Sequence, residues 1–349
     1  MQDAYRITEL GQDGFGIRLE FKSGDLEDVF AALAANLDVI LDRFYTARGL
    51  LVIKGMHGVF ARPQALVELS RLFGSEVENY HQTLTSPRFF HDSEEEILIL
   101  SNDPPCNHLP PPKVSRDDGL RVEFPHQPNW HSDQSYRRPP PDITLLLAVR
   151  VPPPDQGQTL IADCTRACAA LKLQMRERLR NLHGIHAPSW IGRSREAVEQ
   201  GEPVLDLLPH QLPQQHPLLR RHPVSGEDSL FICEEKQMDF FDGPVAELEA
   251  GPDREGARLI RELLSHATQE RFVYTHRWEV GDLLITDNRN LLHCATWYDS
   301  DSYSRLMWRT TVMGNPGDEY QGEEKSWIPQ DGSQIMAGNG SCLKISSMG

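Results

Sequence analysis

From Asp25 to Arg48 the apolar residues Leu26, Val29, Phe30, Leu33, Leu37, Ile40, Leu41 and Phe44 recur at the spacing of an amphipathic helix. A short apolar run between glycines, Gly49 to Gly55, then predicts a buried strand. A second helix is expected over Pro63 to Phe73, closed by Gly74, and Ile97 to Leu100 reads as a strand. From Asn102 to Asn129 periodicity disappears into Pro, Asp, His and Asn, which marks either a functional lid or a disordered loop. Strands follow at Asp142 to Val151 and Gln158 to Ala162, with a helix starting near Asp163. No clear period runs from Leu171 to Pro223; Ser229 to Cys233 then predicts a strand. Asp253 to Gln269 predicts a helix on Ala257, Ile260, Leu263 and Leu264. The last strands are Phe272 to Trp278, Asp282 to Thr286 and Arg305 to Met313. Short strands with helical insertions and no βαβ alternation predict a mainly antiparallel β core.

The chain has 349 residues, 51 Asp+Glu and 35 Lys+Arg, for a formal net charge of −16. This acidity argues against nucleic acid, whose binding rests on Lys/Arg patches. With 25 Pro and 25 Gly, a bundle of long helices is also disfavoured. No apolar run is long enough for a membrane span, and the N-terminus lacks the pattern of a secretory signal. The expectation is a cytoplasmic protein acting on a small molecule. Six scattered cysteines without a C-x-x-C argue against a disulfide framework. Cys164 and Cys168, four apart on the expected helix, read as core residues rather than half of a zinc site. No repeat or long linker demands two domains, so one domain is expected over 1–314, with core strands from about 50. Its lid covers 102–129 and its helical insertion 163–270, and a polar Gly/Ser-rich tail fills 315–349.

Three stretches carry candidate chemistry. In Asn129-Trp130-His131-Ser132-Asp133, residues two apart on a strand face the same way, so His131 and Asp133 can share a metal. Alone this is weak, because 14 His make one or two such pairs expected by chance. Far downstream, a strand through Leu283 to Thr286 leads to His293. Two His and one carboxylate form the facial set of non-haem Fe(II) oxygenases and leave positions open. Finally, Arg305, Met307 and Arg309 share one strand face. Facing inward, the arginines require anions, which a dicarboxylate supplies; facing outward, they make surface ion pairs.

Together these stretches resemble the TauD/TfdA (taurine dioxygenase-like) family of Fe(II)/2-oxoglutarate-dependent oxygenases. The resembling segments are F-G-S-E at Phe73, N-W-H-S-D-Q-S-Y at Asn129 to Tyr136 and R-P-P-P-D-I-T-L-L-L-A at Arg138 to Ala148. They continue with V-P-P-P-D-Q-G-Q-T-L at Val151 to Leu160 and H-P-L-L-R-R-H-P-V-S-G at His216 to Gly226. The last are G-D-L-L-I-T-D-N-R-N-L-L-H at Gly281 to His293 and S-R-L-M-W-R at Ser304 to Arg309. Order and spacing hold from about Gly49 to Gly314.

The resemblance implies a double-stranded β-helix (jelly-roll, cupin-like) core, with Fe(II) as cofactor and 2-oxoglutarate and O2 as co-substrates. It implies His131, Asp133 and His293 as iron ligands. Arg305 then pairs with the distal carboxylate of 2-oxoglutarate, supported by the Thr159 hydroxyl. Arg309 lies near the co-substrate's other end or an anionic substrate. His81, Asn102 and Tyr136 are the candidate substrate contacts, whereas Trp297 and Trp308 read as packing residues and His216 and His222 as structural. The stretch Tyr298 to Ser304 is a residue longer than in taurine dioxygenase. Because Asp133 is a carboxylate, halogenation is disfavoured.

The implied reaction is oxidative decarboxylation of 2-oxoglutarate coupled to hydroxylation of an unactivated C–H of a small molecule, with secondary metabolism as one setting. Desaturation or ring formation uses the same groups, and a non-catalytic jelly-roll metal- or ligand-binding protein is the competing class. A homo-oligomer is compatible with the family, which includes dimers and tetramers.

Overall fold

The computed structural model describes residues 4–83, 86–114, 122–203, 205–313, 320, 323 and 325–327. Its frame is an eight-stranded mixed sheet facing a three-stranded one. Along the larger sheet run Tyr5–Glu9, Ile17–Phe21, Leu50–Lys54, Leu283–Asp287, Ile143–Arg150, Leu306–Met313 and Glu76–Val77, with Leu98–Ser101 also paired to Leu306–Met313. All these pairings are antiparallel except Ile17–Phe21 with Leu50–Lys54. The smaller sheet orders Val273–His276, Thr159–Asp163 and Leu291–Ala295. The sheet therefore starts well before the strand expected near 50, in two segments whose apolar and polar residues alternate, as in strands with one covered face.

Alternation along the strands separates the layers. Leu51, Ile53, Leu145, Leu147, Leu283, Ile285, Trp308 and Val312 turn outward and pack with Val29, Leu33, Ile40, Phe44 and Leu66 of the first three helices. Their strand neighbours Leu50, Val52, Ala148, Leu284 and Met307 turn inward against Ile161, Leu291 and Trp278. The far face of the small sheet, through Leu160, Ala162, Leu292 and Cys294, packs on helices Cys164–Ala170 and Glu255–Ala267. The result is four layers, helices outside and two sheets inside. Cys164 and Cys168 are buried in that outer core.

Local chemistry sets the breaks. The helix expected over 25–48 is two, Leu26–Ala35 and Leu37–Thr46, because Asn36 turns its side-chain amide back onto the Ala32 carbonyl (2.7 Å) and leaves helical backbone geometry. Asp25 caps the first by accepting from the Glu27 N–H. Asp163 caps Cys164–Ala170 by accepting from Arg166 N–H (2.9 Å). Gly49, at φ +74°, lies where a Cβ would sit 2.4 Å from that of Asp287, so only glycine lets these strands meet.

The insertion at 163–270 contains helices Cys164–Ala170, Leu173–Leu179, Arg195–Glu199 and Glu255–Ala267, with one short hairpin, Leu219–Arg221 with Asp228–Leu230, and a second strand pair, His183–His186 with Gln214–Pro217, that encloses Arg195–Glu199. Of the 102–129 stretch, 102–114 and 122–129 form turns and extended chain, and 115–121 lie outside the described residues. Most of the tail at 315–349 also lies outside them. Its described residues dock on the fold: Glu323 accepts both Nε–H and Nη2–H of Arg138 (2.7 and 2.9 Å), and Tyr320 meets His216 Nδ1 at 2.8 Å. Ser326 exchanges two hydrogen bonds with the Arg138 backbone, and Trp327 lies under the Arg137 guanidinium. Among the described residues no helix is long and apolar enough to cross a membrane.

Candidate active site between the two sheets

His293 is the inward residue of Leu291–Ala295, between outward Leu292 and Cys294. His131 joins its edge through a two-residue bridge, with His131 N–H to His293 O at 3.0 Å and the reverse at 2.9 Å. The rings stand 4.4 Å apart. Asp133 is brought in by a turn rather than by strand alternation, with Gln134 beyond it at φ +50°. The ligand atoms of His131, Asp133 and His293 lie within 4.8 Å of one another, so the three can hold a metal ion. Asp133 Oδ1 is 3.6 Å from His131 Nε2 and 3.7 Å from His293 Nε2.

Neighbouring groups fix how these donors point. His131 donates its Nδ1–H to the Asn129 carbonyl (2.5 Å), which aims Nε2 at Asp133. Thr144, inward on Ile143–Arg150, donates to Asp133 Oδ2 (2.7 Å) and itself accepts from Asn288 Nδ2 (3.0 Å). One carboxylate oxygen is thereby occupied and the other faces both imidazoles. Arg309 donates to that second oxygen (3.0 Å). Burial alone would raise the Asp133 carboxyl, but Arg309 and the two histidines hold it well below its ordinary value. Burial and the His131 charge lower His293 to about 4, whereas Asp133 outweighs burial at His131 and raises it.

Arg305 lies just before Leu306–Met313 and is only 3% exposed. Its Nε has no hydrogen-bond partner among the described residues. Burial lowers it to about 10, opposed only by Tyr298. Thr159, facing inward on the opposite sheet, accepts the Trp278 indole N–H (2.9 Å), so its own O–H stays available to donate.

The three candidate substrate contacts fare differently. Tyr136 is half-buried, edge-on to exposed Trp190 at 5.4 Å, and feels both Arg309 and Asp133. His81 is exposed and packs edge-on against Phe90; its neighbour Tyr80 is the residue that turns inward, bonding to Thr311 Oγ1 (2.9 Å) and coupled electrostatically to Arg309. Asn102 spends its amide on the backbone of 300–305, so it braces a loop instead of lining a chamber. Trp308 is buried packing, while Lys113 stacks on Trp297 at 3.9 Å.

Several residues near the site escaped sequence reasoning. Thr144 carried a signal, a hydroxyl inside the apolar run Ile143 to Leu147. His108 carried none: it lies beside Arg305, His131 and Arg309, and burial with those cations lowers it to about 3. Behind Asp133, buried Glu78 accepts from Gln134 (3.0 Å) and Arg137 (2.5 Å).

Residues 6–311 match the family model described as "Taurine catabolism dioxygenase TauD, TfdA family". An alpha-ketoglutarate-dependent 2,4-dichlorophenoxyacetate dioxygenase of Cupriavidus pinatubonensis is 37% identical over 57% of this chain and 66% of its own length. An (S)-phenoxypropionate/alpha-ketoglutarate-dioxygenase of Sphingobium herbicidovorans is 30% identical over 68% of this chain and 79% of its own. The chain thus spans just under two thirds of the first relative. A crystal structure of a taurine dioxygenase from Burkholderia xenovorans shares the fold, with TM-score 0.61, 22% identity and coverage of 89% of this chain and 90% of that one. A match over residues 6–311 that includes both sheets and the residues between them makes the chain a member of the TauD/TfdA family, whose relatives here are alpha-ketoglutarate-dependent dioxygenases.

Proposed function

We propose that this chain is an Fe(II)/2-oxoglutarate-dependent dioxygenase that hydroxylates an unactivated C–H of a small carboxylated molecule, on a double-stranded β-helix core. The observation that carries the reading is the convergence of His131, Asp133 and His293 between sheets that also bury a guanidinium, Arg305, without a carboxylate partner among the described residues. Two imidazole nitrogens and one carboxylate oxygen suit Fe(II) and leave positions for other ligands. The occupied Asp133 Oδ2 supports ligation through Oδ1 alone. The 1–314 stretch is taken as a single catalytic domain acting in the cytoplasm.

His131, Asp133 and His293 would hold the iron, which supplies O2 activation and the oxidising chemistry. The protein's own groups do the rest. Arg305 binds the distal carboxylate of 2-oxoglutarate, and the Thr159 O–H donates to it. Arg309 and Thr144 hold Asp133 ionised and oriented. Met307, Ile161 and Trp278 make the layer between the two sheets apolar, which disfavours water there. The Tyr136–Trp190 pair, coupled to Arg309 and Asp133, offers an aromatic surface for a substrate, in keeping with relatives named for 2,4-dichlorophenoxyacetate and phenoxypropionate.

Purified protein with Fe(II), 2-oxoglutarate and a panel of aryloxyalkanoic acids should form succinate in an O2-dependent, substrate-stimulated way. His131→Ala should reduce this by about three orders of magnitude. Absence of succinate across the panel, together with no visible band on anaerobic addition of 2-oxoglutarate and Fe(II), overturns the proposal.

A further inference from the structure

Asn102 follows the strand Leu98–Ser101, whose end residue Ser101 pairs with Leu306. Its side chain spans the neighbouring loop. Nδ2 donates to the carbonyls of Ser300 (3.2 Å) and Tyr303 (3.0 Å), and Oδ1 accepts the backbone N–H of Arg305 (2.7 Å). An amide is the one neutral side chain that offers both donors and acceptor from a single planar group. The next residue repeats the attachment: Asp103 accepts from Ser304 Oγ and from Arg150 Nη1 (3.1 Å).

The bracing element is itself closed. Asn107 accepts the Ser101 N–H (3.0 Å) and donates to the Ile99 carbonyl (2.5 Å), while His108 N–H returns to the Ser101 carbonyl (3.1 Å). Residues 101–108 thus form a short loop pinned at its own base. One side grips 300–305, and the other brings His108 beside Arg305. Leu306/Met307 carries a register irregularity where the gripped loop enters the sheet. Arg305 sits at that junction. Its Nε has no hydrogen-bond partner among the described residues, so the backbone at this junction is the hydrogen-bonded anchor of the side chain.

We propose that Asn102 is a positioning residue for co-substrate binding: it ties the 300–305 loop so that Arg305 enters the chamber in the geometry a dicarboxylate needs. This rests on the reading of Arg305 as the distal-carboxylate partner. A guanidinium–carboxylate pair depends on alignment of two parallel hydrogen bonds, so loosening the backbone beneath it weakens that pair selectively.

The test titrates Fe(II)-loaded full-length protein anaerobically with 2-oxoglutarate and with 2-oxopentanoate, which keeps the chelating end and lacks the distal carboxylate. Asn102→Ala should weaken 2-oxoglutarate about tenfold and leave 2-oxopentanoate within about twofold. Added to Arg305→Ala, it should cost nothing further, because both act through one contact. Equal weakening of the two ligands, no weakening of either, or full additivity with Arg305→Ala overturns the role of Asn102. If Arg305→Ala itself leaves 2-oxoglutarate binding unchanged, the underlying assignment of Arg305 fails instead. Should Asn102→Ala not fold, Asn102→Ser, which reaches fewer of the three partners, should show the same ligand selectivity at about threefold.

Discussion

Arg289 and Arg305 are both almost wholly buried, 2% and 3% exposed, yet their surroundings are opposite. Arg289 grips Asp287 with two hydrogen bonds, Nε to Oδ1 at 2.8 Å and Nη2 to Oδ2 at 2.6 Å. His222 adds its Nε2–H to the same carboxylate (2.9 Å), and its Nδ1 accepts the backbone N–H of Ser225 (3.0 Å). Burial opposes the charge on Arg289, but Asp287 outweighs it and raises the guanidinium above its ordinary value. At Arg305 burial meets no carboxylate, and the guanidinium falls to about 10. A buried charge that is answered within the fold holds the fold together. One left unanswered costs stability, and such a cost persists where an incoming ligand completes the pair.

Removing one partner from each region separates the two cases. The largest effect is expected from Asp287→Ala, which takes both of these hydrogen bonds from buried Arg289, leaves Asp142 at 3.8 Å, and should cost about 3–5 kcal/mol in urea unfolding. Equal loss on Arg305→Met would erase the distinction. That second substitution should leave unfolding free energy unchanged or slightly higher, while 2-oxoglutarate binding weakens about a hundredfold by anaerobic titration.

A smaller effect sharpens the contrast through pH. Burial would raise the Asp287 carboxyl, but Arg289 and His222 hold it far below its ordinary value. A carboxyl depressed in the folded state contributes stability that is complete above its unfolded pKa and is lost as pH falls. Stability measured from about pH 5 to pH 3 should therefore fall less steeply in Asp287→Asn than in the unaltered protein, from a lower start. Arg305 does not change charge in this window and should leave the slope untouched.

The sequence disclosed what repeats or aligns. Strands such as Leu50–Lys54 and Leu283–Asp287 announced themselves as apolar runs, because sheets covered on both faces leave few polar positions. The H-x-D and distant His were legible as a set, although a turn and a bridge, not strand alternation, aim them. Side-chain direction in loops was not legible. His81 and Tyr80 differ by one position, and only the inward one reaches Arg309. Asn102 has the composition of a pocket lining, but its partners are carbonyls about two hundred positions away. Arg289 and Arg305 look alike as letters, because pairing depends on three-dimensional neighbours.

The family match stops at residue 311, whereas Tyr320, Glu323 and Ser326–Trp327 still clasp Arg137, Arg138 and His216. The contacts of the fold therefore run past the end of the family match. A chain cut at residue 311 would bare two arginines and the aromatic socket of Tyr320, close behind the turn that carries Asp133.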